Sequence, residues 1–101
     1  MSPAERLNVS EEDLAAVCAR YRVRELAIFG SAARGEARPD SDVDLLVVFD
    51  EDASIGLLAL VGLQRELAGL FGRPVDLVPK DGLKPALRDE VLAQAQILYA
   101  A

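Results

Sequence analysis

Apolar residues along the chain change spacing several times, and each change marks an element. Behind Ser10-Glu11-Glu12-Asp13, which has the form of a helix N-cap with acids in the first turn, Leu14, Val17, Cys18 and Tyr21 recur at helical intervals. This pattern predicts an amphipathic helix over 11–21. Cys18 lies on its apolar stripe, the place of a packing residue rather than a nucleophile. Glu25-Leu26-Ala27-Ile28-Phe29, closed by Gly30, predicts a short buried strand. Asp42 to Phe49 predicts a second strand with a dense Leu/Val centre. Residues 54–71 read as a long helix, with Leu57, Leu58, Val61, Leu67, Leu70 and Phe71 available to pack and Gly72 to end it. Pro74 to Val78 reads as a third strand, and Leu83 to about Ala93 as a helix that tolerates Pro85 only in its first turn. Gln96-Ile97-Leu98-Tyr99 closes the series as an edge strand. The order α-β-β-α-β-α-β predicts an α/β fold with a mixed sheet flanked by helices. The 101 residues fit one compact domain, 1–101.

Loop lengths predict how the strands pair. Residues 31–41 are too few for a parallel crossover, so the first two strands should be antiparallel. Gly30-Ser31 then lies beside Asp42. The third strand returns after a helix, which predicts a parallel pairing with the second through a right-handed crossover. Asp76 should therefore reach the same end of the sheet.

Composition narrows the chemistry. Histidine is absent and Cys18 is the sole cysteine, which excludes His-based triads, HExxH zinc sites, intramolecular disulfides and thiolate clusters. Carboxylates, hydroxyls, cations, backbone dipoles or a bound metal must do any chemistry. The formal charge of −6 argues against a groove for long nucleic acid, while leaving room for a local nucleoside triphosphate site. Arg20, Arg22, Arg24, Arg34 and Arg38 read mostly as a solvated rim that balances nearby acids. No apolar run approaches a membrane span, and the first residues lack the order of a secretion signal, so a cytoplasmic protein is expected.

Asp42 and Asp44 alternate onto one face of their strand, about 6–7 Å apart along the backbone. Alone, such a pair is usually a solvated strand entry. Here Asp76 interrupts an otherwise apolar strand, Pro74-Val75-Asp76-Leu77-Val78, and is expected to converge on the pair. Hard oxygen donors of this kind suit Mg²⁺, with Mn²⁺ as a substitute, and can serve two-metal phosphoryl transfer. Gly30-Ser31 allows a tight turn whose N–H groups can cradle phosphate, and Arg34 can stabilise phosphate charge.

Gly30-Ser31, ten residues, then Asp42-Val43-Asp44 resembles the signature of DNA polymerase β-like nucleotidyltransferases. The fuller strings Phe29-Gly30-Ser31-Ala32-Ala33-Arg34-Gly35-Glu36 and Ser41-Asp42-Val43-Asp44-Leu45-Leu46-Val47 are similar to the minimal nucleotidyltransferases (MNT). The resemblance implies that Asp42, Asp44 and Asp76 are catalytic residues and ligands for two Mg²⁺ ions, with ATP as substrate. It implies Gly30, Ser31, Arg34 and Ser41 as the nucleotide-binding shell. It further implies an antitoxin that transfers AMP to a hydroxyl, a tyrosine by analogy, of a partner HEPN-domain ribonuclease toxin. Two other readings compete: a non-catalytic antitoxin acting by occlusion, and transfer to a small-molecule hydroxyl.

Overall fold

Ser10 caps the first helix, its Oγ accepting a hydrogen bond from the Asp13 N–H at 3.3 Å. The acids that follow face the positive end of the helix dipole, and Arg20 the negative end. The computed structural model describes residues 7–30 and 42–101. In order these form α1 (Glu11–Arg20), β1 (Val23–Phe29), β2 (Val43–Phe49), α2 (Leu57–Phe71), β3 (Val75–Pro79), a 3-10 turn (Lys80–Gly82), α3 (Pro85–Gln94) and β4 (Gln96–Ala100). The element order is the one the hydrophobic pattern predicts, with Pro85 at the start of its helix.

The sheet order is β3-β2-β1-β4. β1 runs antiparallel to both β2 and β4, whereas β2 and β3 are parallel. Strand alternation divides the residues sharply. Leu26 and Ile28 of β1, Val43, Leu45 and Val47 of β2, and Val75 and Leu77 of β3 belong to one buried cluster. Leu14, Val17 and Cys18 of α1 and Leu63, Leu67 and Phe71 of α2 complete it, so these two helices cover a single face of the sheet. Each fully buried leucine here contributes about 1.5–3 kcal/mol relative to exposure.

Burial raises the Cys18 thiol to about 11, which keeps it protonated. Tyr21 and Tyr99 pack against the core's rim, and the Tyr21 hydroxyl donates to the Glu66 carboxylate, raising the phenol and lowering the acid.

One packing expectation needs correction. Leu57 and Leu58 are 75% and 89% exposed, and Val61 is 40% exposed. The helix begins at Leu57, behind the N-cap Gly56, rather than at residue 54. With Leu63, Leu67 and Phe71 turned to the sheet, the 100° step per residue carries Leu58 and Val61 to the opposite side. A helix rich in apolar residues must still turn one side outward.

At its other end α2 stops at Gly72, whose φ of +68° closes the helix through a bond from its N–H to the Ala68 carbonyl at 2.9 Å. The segment then crosses to β2, where the Val43 N–H donates to the Pro74 carbonyl at 2.9 Å. β3 starts level with β2.

Candidate active site

The face of the sheet turned away from α1 and α2 carries the acids. Asp44 and Asp76 are register partners on the parallel strands β2 and β3, so their side chains leave the same face with Cα atoms about 4.8 Å apart. Their neighbours Val43, Leu45, Val75 and Leu77 point into the core and fix this orientation. Asp42 stands just ahead of β2, two residues from Asp44 and exposed, as Asp76 is. Asp44 is half-buried between its flanking strands. On its other side it is in register with Phe29 of β1.

Gly30 follows Phe29 with φ of +72°, a conformation that L side chains rarely adopt. A Cβ added there would overlap Asp44 Oδ2. Glycine is thus required twice over, by the backbone angle and by the carboxylate lying against it. The sequence expectation that Gly30 comes beside the acid pair therefore holds in the geometry. Ser31, Arg34 and Ser41 lie outside the described residues.

The acids act on one another electrically. The Asp44 carboxyl is held above the usual aspartate range, first by burial, then by the charge of Asp76, then by that of Asp42. All three influences disfavour ionisation, and each would be relieved by a cation placed among the carboxylates. Among the described residues, no three acidic, cysteine or histidine side chains close to the spacing of a finished metal site. The donors are nevertheless of the kind that hard divalent ions take: carboxylate oxygens, two in register, on a common face.

Cations divide by position. Arg73 lies between Gly72 and Pro74, at the amino ends of β2 and β3, the end that carries the acids. Lys80, Lys84 and Arg88 do not share that position. They instead follow the carboxyl end of β3, opposite the acids. Lys80 and Arg88 line a cavity of about 460 Å³ there, together with Arg24, Glu25 and Val48.

Comparison with known proteins agrees with this architecture. A solved structure provisionally described as a minimal nucleotidyltransferase superposes with a TM-score of 0.74 at 45% identity, over 94% of each chain. The fold is that of the nucleotidyltransferases. The chain belongs to the nucleotidyltransferase domain family, whose profile matches residues 11–98. It is 48% identical over 75 residues to the protein adenylyltransferase MntA of Thermococcus cleftensis, covering 74% of each chain. A re-refined Shewanella oneidensis complex of a tri-AMPylated HEPN toxin with an MNT antitoxin shares the fold, with a TM-score of 0.59 at 20% identity. That match covers 90% of this chain and 70% of the other.

Proposed function

We propose that this protein is an antitoxin that transfers AMP from ATP to a tyrosine hydroxyl of a partner HEPN ribonuclease toxin, using Mg²⁺. The observation that carries this reading is the register of Asp44 with Asp76 on the face of the sheet turned away from α1 and α2. The named activity of the Thermococcus relative supports the type of transfer, and the Shewanella complex supports the class of acceptor. Residues 1–101 act as one minimal domain in the cytoplasm.

In this mechanism Asp42 and Asp44, with Asp76, would hold the two Mg²⁺ ions. When bound, the ions neutralise phosphate charge and polarise the α-phosphoryl group. Gly30, Ser31, Arg34 and Ser41 grip the triphosphate and set its α-phosphorus in line with the acceptor. The acceptor oxygen forms a bond to that phosphorus, its proton passes to Asp76, and the bond to the departing pyrophosphate breaks. Three carboxylates that repel one another in the free protein favour a ligand that brings positive charge.

The test is incubation with ATP, Mg²⁺ and a HEPN toxin, read by mass spectrometry of the toxin and by its ribonuclease activity. An AMP adduct on tyrosine, with ribonuclease activity lost in parallel, is the expected result. If a D42N/D44N double variant neutralises the toxin as well as the parent does, the protein acts by occlusion and the catalytic reading fails.

A further inference from the structure

We infer that the outward side of the first turns of α2 is a self-association surface, through which two copies of this chain pair as a weak two-fold dimer. The surface lies at the other end of the sheet from Asp44 and Asp76, on the face that α1 and α2 cover. The inference therefore stands apart from the nucleotidyl-transfer reading.

The first observation is apolar surface concentrated in one place. Leu58 is 89% exposed, Leu57 75% and Val61 40%. Single exposed apolar residues are ordinary, but three together on one helix mark an interaction surface. Beside them lies a hollow of about 360 Å³, lined by Phe49, Ile55, Gly56, Leu57, Leu60 and Pro79. A leucine side chain cut from a core leaves about 150 Å³, so the hollow has room for roughly two. Protruding leucines and a hollow of matching size thus share one patch. A two-fold axis through it brings the leucines of each copy to the hollow of the other, because in such an interface the same surface serves both partners.

Charge favours a second copy at this place. The chain carries −6, and 28% of its residues are charged, so two copies repel over most of their surface. Residues 53–64 hold no charged side chain, the longest such run in the sequence. The acids just ahead of them are already met by arginines, Asp50 and Asp52 by Arg22 and Glu51 by Arg24. Two copies can therefore meet here without setting like charges against each other. A partner that presents a hydroxyl to Asp76 approaches the other face, and at the other end of the sheet.

The size of the patch sets the strength of the contact. Leu58, Val61 and the residues around the hollow are few beside the roughly 20–30 on each side of a standard interface. The dimer is accordingly weak, with a Kd on the order of 100 µM, and forms as concentration rises. Both acid clusters lie away from the contact, so pairing neither covers nor needs them.

The experiment is analytical ultracentrifugation of the full chain from about 1 µM to about 1 mM, comparing the parent with L58A, L58D and I97D. The parent should move from monomer toward dimer mass across that range. L58A should weaken pairing about a hundredfold, since a two-fold contact carries every change twice, and L58D should leave only monomer. Leu58 lies almost wholly in solvent, so both variants should stay folded in thermal melts. I97D puts the same charge on an exposed residue of β4 and should pair as the parent does. A parent that stays monomeric throughout overturns the inference, as does a dimer that survives L58D. If a monomeric parent captures a HEPN toxin and L58D weakens that capture, the patch belongs to the toxin and the second-copy assignment falls. A parent that pairs through Leu58 yet transfers no AMP would sink the proposed function and leave this inference standing.

Discussion

The two ends of the sheet hold the same kind of side chain in opposite electrical states. At the carboxyl end of β2, Asp50 and Asp52 face Arg22 at 3.8 and 2.9 Å, and Glu51 faces Arg24 at 3.5 Å. Those acids and arginines neutralise one another in solvent, where each such pair contributes less than about 1 kcal/mol. At the amino end, the Asp44 carboxyl is held above its ordinary range, first by burial and then by the charges of Asp76 and Asp42. The lesson is that acidity alone says little about function. An acid offset by an arginine is finished, whereas acids set against acids hold energy that a cation can release.

That contrast can be broken by experiment, and the largest expected effect is on turnover. Replacing Asp44 by Asn should lower AMP transfer by roughly a thousandfold or more, measured as kcat/KM on the toxin, since it removes a charge that the reacting phosphate needs balanced through metal. The D52N variant should leave transfer unchanged. The same pair reports on stability with opposite sign. The fold raises the Asp44 carboxyl, so its protonated form is the better tolerated one. Stability present below the ordinary aspartate range is lost as pH rises through the raised value. The D44N variant escapes that loss and should melt above the parent at pH 8, the gap closing near pH 4. A gap that widens in acid would contradict the assignment.

Gly30→Ala comes next. The left-handed backbone angle carries about 1–2 kcal/mol of strain for an L side chain, and the added methyl group displaces the Asp44 carboxylate. A misplacement near 1 Å should reduce transfer about a hundredfold, with the chain still folded by circular dichroism. Smaller again is the thermal response to metal alone. Mg²⁺ at about one hundred times its dissociation constant should stabilise the parent by roughly 2.7 kcal/mol. The gain should persist in a D50N/D52N variant and vanish in D42N/D44N. Equal responses in both variants would erase the distinction between the two ends. Least of all, D52N should shift the urea midpoint by an amount worth less than about 1 kcal/mol, and added salt should abolish even that.

Much of the fold could be read from spacing because local and tertiary forces agree along this chain. The short apolar runs of the strands, the Ser10 cap, the Gly72 stop and Pro85 at a helix start each carry their own signal, and the short 31–41 connection dictated the antiparallel pair. The pairing of Asp76 with Asp44 was also legible, because a single acid in an apolar strand has few structural excuses. What escaped was directional. Hydropathy alone does not say which side of α2 meets the sheet, so Leu57, Leu58 and Val61 were counted toward packing although they face solvent. Nor does a sequence say at which end of a strand a cation will stand.

The pairing of Asp44 with Asp76 has a bearing on quality control. Because side chains alternate, a slip of one position between the central strands would send Val75 and Leu77 into water and thrust an acid among leucines. Such a chain would lose far more than its catalytic geometry, and would be cleared as unfolded before it could bind a partner ineffectively. Assembly of the interior thus inspects the site in advance, and molecules that reach the folded state carry both carboxylates already aligned.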